Sequence, residues 1–484
     1  MLRLLTMPTL AGILAAVLAG GCGGGGGGGG SNGPGQPVIS GARPPPGMTG
    51  ASYAGFAFSV TSGGVAPFTW SETGALPAGM SLSASGQLSG TPENAATYPI
   101  MVMVADSSTP PLTGTPVPVS LVIEKSPGGM KFARYRHSAT LLKDGTVLVA
   151  GGVVTVGGGG PGSTAEVYDP ATGTFTDAIG PMIEARAGHT ASLLNDGTGR
   201  VLIAGGSTMS AAELYNPATG TFAATGSLIT ARLTTTATLL PSGKVLVVGG
   251  STPTSAAIAA SELYDPATGT FTATKGNLNV PRSGHTATLL TSGKVLVAGG
   301  STSTFSTTAT AELYDPATDT FTATTDMTVA RTGHAATLLQ DGSVLVVGTE
   351  GTADLYPSSG TFVAVGSLPA AAARTASLRG DGTVVVPGGF VMGKTRVHDP
   401  VSGGCKDALF PVSVATVELF APGSPGRFTA TGSLTVPRDE HTATVLADGS
   451  VLVVGGLKHV LVGESFSCSG GGAASVLSST ERFK

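Results

Sequence analysis

The sequence predicts an all-β protein: a seven-bladed β-propeller preceded by a small β-sandwich. Two observations predict the propeller. A phrase built of a HTATLL-like run, a two-residue turn and a VLVVGG-like run recurs seven times between Arg134 and Val454. The turns are Asp144-Gly145, Asp196-Gly197, Ser242-Gly243, Ser292-Gly293, Asp341-Gly342, Asp381-Gly382 and Asp448-Gly449. The period of roughly 50 residues holds short β-runs and no helical pattern, the signature of one blade per repeat. The third observation is a change of texture: residues 37–124 carry strand-like runs without that repeat.

Residues 1–21 read as an export signal. Arg3 supplies a positive start, and the apolar run Ala11 to Leu18 is too short to span a bilayer. Leu18-Ala19-Gly20-Gly21-Cys22 resembles the lipobox of bacterial lipoproteins, although Leu stands four places before the Cys. The resemblance implies lipidation of Cys22. With Gly23 rather than Asp following, it also implies outer-membrane sorting in a Gram-negative host. The alternative is an ordinary secretory signal with an incidental Cys. Residues 22–36, opening with the glycine run Gly23 to Gly30, are too poor in apolar side chains to pack and read as a tether. Such a coil reaches about 20 Å.

Composition narrows the partners. Only 11% of residues are charged and the net charge is −4, which argues against nucleic acid, whose binding needs a basic stripe. No later segment offers 18 uninterrupted apolar residues, so contact with lipid is expected only through the N-terminus.

In residues 37–124, Ile100, Val102 and Val104 alternate with outward neighbours, as in a half-buried strand. The run PFTW, LPAGMSLSASGQLSGTP, YPIMVMVADSSTP and VSLVIE resembles the bacterial immunoglobulin-like module, a cadherin-like sandwich. Cadherin-like relatives imply calcium, but Asp106 and Glu93 are too few for a cage of six to eight oxygens. The segment therefore reads as a spacer or adhesion module. Residues 125–130 read as a linker.

From residue 131 to 484 each repeat reads as four strands, a to d. Strand a opens on a phrase like ARxGHTATLL. Strand b is apolar throughout because neighbouring blades cover both its faces, and its Gly-Gly end permits close backbone approach. Strand c is AELYDP-like, and strand d opens on Phe after a turn set by Asp-Pro and closed by Gly. The d-strand Phe appears six times, as Phe175, Phe222, Phe271, Phe321, Phe362 and Phe428. The seventh blade therefore has either three strands or an outer strand supplied by Ser126 to Met130. A ring closed by the linker is expected.

The Gly doublet, the E-x-Y-D-P phrase and the R-x-x-H phrase resemble kelch repeats and the galactose-oxidase-like propellers, across residues 131–484. Kelch repeats carry an outer-strand Trp; here it is Phe, and the one Trp, Trp70, lies in the other domain. Galactose-oxidase relatives imply a copper radical site of a Tyr cross-linked to a Cys, a second Tyr and two His. The sequence departs from that: no Cys stands in a blade strand, and Tyr168, Tyr215, Tyr264, Tyr314 and Tyr356 share one strand-c position, as packing residues do. No cofactor and no metal site are expected.

Two repeated sets call for weighing. One is Arg134, Arg186, Arg232, Arg282, Arg331 and Arg438, with Ala371 in blade 6, matched by the strand-c acids Glu166, Glu213, Glu262, Glu312, Asp354, Glu418 and Glu481. The other is His137, His189, His285, His334 and His441, replaced by Thr235 and Arg374 in two blades. Blade symmetry spreads equivalent histidines around an axis, whereas metal ligands must all lie about 2.0–2.3 Å from one ion. Both sets read as architectural, the Arg and acid forming buried charge-assisted bonds within or between blades.

Adjacent strands run antiparallel, so the b–c and d–a connections share one face. Their lengths diverge, from Ser207–Ser210 in blade 2 to Phe390–Val414 in blade 6 and Leu457–Leu477 in blade 7. Function on a rigid scaffold concentrates in variable loops. The candidate binding residues there are Lys406, Asp407, Lys458, His459 and Glu464. Cys405 and Cys468 lie in the two longest connections, where a disulfide would staple them; two free thiols are the alternative. The functional expectation is an exported, envelope-tethered binding or adhesion protein for a protein or glycan. A galactose-oxidase-like enzyme and a purely structural envelope component are the competing readings.

Overall fold

A computed structural model describes residues 35–40, 43–50, 53–124, 126–154, 159–254, 256–348, 351–368, 374–398, 405–423, 426–462 and 471–483. Two compact units meet along the chain at residue 124.

The first unit is a β-sandwich. One sheet pairs Thr69–Thr73 with Ala96–Ala105, that strand with Val117–Glu124, and the last with Gly47–Met48; a second joins Tyr53–Ala57, Gln87–Gly90 and Met80–Leu82. The alternation read in the sequence is the inward face: Ile100, Val102 and Val104 are buried together with Leu88, Leu121 and Ile123. Trp70 stacks on Phe58 in this core, ring centroids 6.0 Å apart. Asp106 is committed to loop structure, accepting from Ser108 Oγ at 2.5 Å, Leu112 N at 2.7 Å and Val65 N at 3.0 Å. These bonds, led by that of Ser108, hold its pKa down to about 2.

The second unit is the propeller. Six four-stranded antiparallel sheets follow one another in strict a-b-c-d order, and a three-stranded sheet completes the set. In blade 1 the strands are Ser138–Leu141, Val147–Ala150, Ala165–Asp169 and Thr174–Asp177. Each blade's a strand lies beside the a strand of the next blade, and blade 7 (Thr442–Val445) returns to blade 1, so the a strands line the axis.

Each sequence signal has a mechanical counterpart. The Asp of the a–b turn accepts from the backbone N and hydroxyl of the residue two places on, as Asp144 does from Thr146 at 3.0 and 2.7 Å, while Gly145 takes φ 86°. Strand b is fully buried in every blade because the flanking blades cover both faces; Val147 and Val149 pack with Leu452 and Val454 of blade 7. The strand-c Tyr packs across the pair on the strand-d Phe, as with Tyr168 and Phe175, centroids 5.0 Å apart. The Gly doublet permits close approach. A Cβ on Gly151 would stand 2.7 Å from both Arg186 O and His189 Cε1 of the next blade, and one on Gly152 would stand 2.6 Å from Tyr135 O.

Among the described residues blade 7 has three strands, the last of them Thr480–Phe483. The expected fourth strand from Ser126 to Met130 does not form; the place of the strand-d Phe falls on Glu124, the last residue of the sandwich strand Val117–Glu124. The linker closes the ring differently. Met130 N donates to Ser478 O at 2.8 Å, as Leu228 N does to Ser210 O at 2.8 Å in a regular d–a connection. Gly456 N donates to Arg134 O at 2.9 Å, as Gly152 N does to Arg186 O at 2.8 Å.

Candidate functional site

The repeated charges are intrablade fasteners. Arg134 is fully buried and donates to Glu166 Oε1 at 2.7 Å and to the carbonyls of Gly151 and Thr164, each at 2.8 Å. Glu166 also accepts from Lys131 N at 2.8 Å on the connection entering the blade. Arg186–Glu213 (3.0 Å), Arg232–Glu262, Arg282–Glu312 (2.9 Å), Arg331–Asp354 (2.9 Å) and Arg438–Glu481 (2.7 Å) repeat the pairing. Desolvation pushes the guanidinium pKa of Arg134, Arg232, Arg282 and Arg438 down, opposed by the paired carboxylate. Arginine stays charged all the same.

The histidines fasten blade to blade. His137 Nε2 lies 3.0 Å from Thr442 Oγ1 of blade 7, and His189 Nε2 lies 2.9 Å from Ser138 Oγ of blade 1. His285, His334 and His441 reach Thr236, Thr286 and Thr375 of the preceding blade in the same way. Burial holds His189, His285, His334 and His441 neutral, with pKa values pushed down to about 3, and pushes His137 well below its usual range.

Departures from this symmetry gather at one place. In the six repeats where it is described, the residue just before the His, or before Thr235 in blade 3, takes a left-handed backbone: Arg136 (φ 53°), Gly188 (63°), Thr234 (48°), Gly284 (61°), Gly333 (62°) and Glu440 (48°). These residues circle the axial mouth on the face of the b–c and d–a connections, linked by bonds such as Gly188 N to Arg136 O (2.8 Å) and Gly333 N to Gly284 O (2.8 Å). Glycine suits such a backbone, so the non-glycine residues Arg136, Thr234 and Glu440 hold it at a cost of about 1–3 kcal/mol each. Of these, Arg136 and Glu440 carry charge. They meet as a bidentate pair, Nε to Oε2 at 2.9 Å and Nη2 to Oε1 at 3.1 Å.

Arg374 joins them. It stands in the blade 6 position that is His in five other blades and Thr235 in blade 3, yet its guanidinium turns to the axis. Nη1 lies 4.0 Å from Glu440 Oε1, the group sits 5.4 Å over the ring of Phe390, and a Cβ on Gly333 would stand 2.9 Å from Nη1. Beneath, Asp439 is buried with Oδ1 3.2 Å from His459 Nδ1, close but not aligned as a hydrogen bond. Burial pushes the Asp439 pKa up to about 6, with His459 the chief opposing influence. Blade 6 thus interrupts the fastener pattern where the charged residues converge. Its Glu418 keeps the strand-c place opposite Val386, while Ala371 lies outside the described residues.

The long connections are hairpins rather than loops. Blade 6 projects Phe390–His398 paired with Cys405–Ser413, and blade 7 projects Leu457–Val462 paired with Gly471–Val476. Both extend a pattern already present as single bridges in blades 1, 3 and 4, such as Leu233 with Ser251 and Ser251 with Ala257. They lie side by side: Ser413 Oγ donates to Leu457 O at 3.2 Å and accepts from His459 N at 2.8 Å. Met392, Leu409 and Val460 are exposed on them.

Of the binding residues expected from sequence, Asp407 is exposed on the blade 6 hairpin and pairs with Lys394 at 2.8 Å. Lys406 neighbours it in the strand, opposite Val397. Lys458 is half-buried on the blade 7 hairpin, and His459 turns inward onto Asp439. Cys405 opens the second strand of the blade 6 hairpin, whereas Cys22, Glu464 and Cys468 lie outside the described residues. The site residues missed from sequence are Arg136, Arg374, Asp439 and Glu440. Their signal was present: two charged residues at a position that is otherwise Gly or Thr among the described blades.

No curated protein matches the chain in sequence. The family model "Putative Ig domain" matches residues 37–124. Among solved structures, the chain is similar to a novel fungal alcohol oxidase of the AA5 family in complex with copper, at 20% identity and TM-score 0.56, over 74% of this chain and 75% of that one. It also resembles YjhT, at 14% identity and TM-score 0.44, over 60% of this chain and 94% of that one.

A copper centre does not fit the described residues. Among the described residues no three His, Cys, Asp or Glu stand close enough to hold a metal. The five repeated histidines are spent on hydroxyls of neighbouring blades, and the strand-c tyrosines are packed on their phenylalanines. What the likenesses show is the fold: an immunoglobulin-like domain followed by a propeller of the architecture seen in that oxidase.

Proposed function

We propose that this protein is an exported binding or adhesion protein whose propeller presents its hairpin face to a protein or glycan. The observation that carries the reading is coincidence. The two longest insertions and the three charged residues that break the axial symmetry occupy the same sector, blades 6, 7 and 1. The seven blades otherwise repeat one scaffold, and a scaffold that varies in one sector carries its specificity there. The sandwich acts as spacer. The Gly-rich segment tethers the body to the outer membrane or cell surface through a lipidated Cys22, and Cys405 and Cys468 join the two hairpins.

The test compares the full chain with a variant in which Phe390–Val414 and Leu457–Leu477 are each replaced by the blade 2 connection Ser207–Ser210. Both are applied to a glycan array and to immobilised envelope and host-surface proteins. A ligand held by the full chain and lost by the variant supports the reading. A ligand held equally by both places recognition elsewhere and refutes it.

A further inference from the structure

We propose that the axial mouth is a carboxylate-binding site, and that the ligand it takes is an acidic glycan. This deepens the binding function proposed above and rests on it.

The argument begins with what the mouth shows to solvent. Arg136 and Arg374 are the exposed members of the cluster, with side chains 55% and 34% accessible, whereas Glu440 and Asp439 are 11% and 3% accessible beneath them. The acids prop the arginines; the guanidinium groups face out. Glu440 takes Nε and Nη2 of Arg136, leaving Nη1 to donate. Arg374 is less engaged still. Its approach to Glu440 is 4.0 Å, too long for a hydrogen bond, and its buried Nε has no hydrogen-bond partner. Such a buried donor is costly to leave unmade.

Both cations are held in place. Arg374 lies over Phe390 and Arg136 over Tyr135, at 5.4 and 5.9 Å from the ring centroids. Across the opening the described rim is Gly188, Thr234, Gly284 and Gly333, three positions with no side chain and one with a short one. A planar group with two acceptor oxygens suits these planar forks, which favour bidentate pairing. The open rim lets a chain of sugars lie across the face with one carboxylate over the axis.

The test is titration of the full chain, held in detergent, with oligogalacturonate, with its methyl ester, and with inorganic phosphate as competitor. The acid is expected to bind with salt-sensitive affinity, and the neutral ester about tenfold or more weaker. Arg374→Ala and Arg136→Ala should each lose about tenfold or more with unfolding temperatures near that of the parent, and Arg374→Lys should recover only part. Equal binding of acid and ester, or Arg374→Ala binding like the parent, overturns the proposal. So does phosphate displacing as well as monomeric galacturonate. A ligand lost with the hairpins but kept by both alanine variants would sink this inference and leave the binding reading standing.

Discussion

Acid should dismantle the ring, because the blades are fastened by neutral histidines. His189, His285, His334 and His441 have folded pKa values near 3, and burial lowers that of His137 in the same direction. In the unfolded chain each returns to about 6.5. A group whose folded pKa is depressed stabilises above its unfolded pKa and loses that contribution as pH falls toward the folded value. The window here runs from about pH 6.5 downward. Between pH 7 and 5 each histidine costs about 2 kcal/mol, and five together about 10 kcal/mol, comparable with the whole stability of many domains. The figure is insensitive to the folded value, since at pH 5 a folded pKa of 3 or 4 leaves the ring neutral either way. Asp439 runs in the opposite sense. Its folded pKa of about 6 lies above the unfolded value, so it binds a proton first in the folded state and offsets about one histidine.

The assay is calorimetric unfolding at pH 5.5 in buffers of different ionisation enthalpy, which counts protons directly. About four net protons should be taken up on unfolding, and His189→Gln with His285→Gln should reduce that by about two. Uptake of one proton or fewer, or no change in the double variant, would refute the claim that these rings are buried and neutral.

Two further outcomes follow from named contacts. Arg282→Met should destabilise by about 3–5 kcal/mol, because it strands the Glu312 carboxylate in the blade interior. Adding Glu312→Leu should recover only part, since the Gly299 and Thr310 carbonyls lose their donor and Asn279 N and Val280 N their acceptor; thermal unfolding of the three variants decides. Asp439→Asn should raise stability at pH 7 by on the order of 1–3 kcal/mol and leave it unchanged at pH 4, where the carboxyl is already protonated, as denaturant midpoints at the two pH values would report.

The sequence by itself determined the blades. A two-residue turn with Asp at its head, an apolar b strand covered on both faces and a Tyr-Phe pair on strands c and d are local demands, and each repeat writes them out within one period. The paired Arg and acid were legible for the same reason, because symmetry repeats a fastener and not a ligand set. The hairpins were less legible: their strands read as long variable connections, since pairing across Phe390–His398 and Cys405–Ser413 has no repeat to announce it. Only the tertiary structure decided what lies on the axis. Arg136, Arg374 and Glu440 are hundreds of residues apart in the chain or on different blades, and closure of the ring by the linker brings the first blade against the last. Pairing across the sheet also decided that, among the described residues, blade 7 has three strands, while Val117–Glu124 pairs within the sandwich.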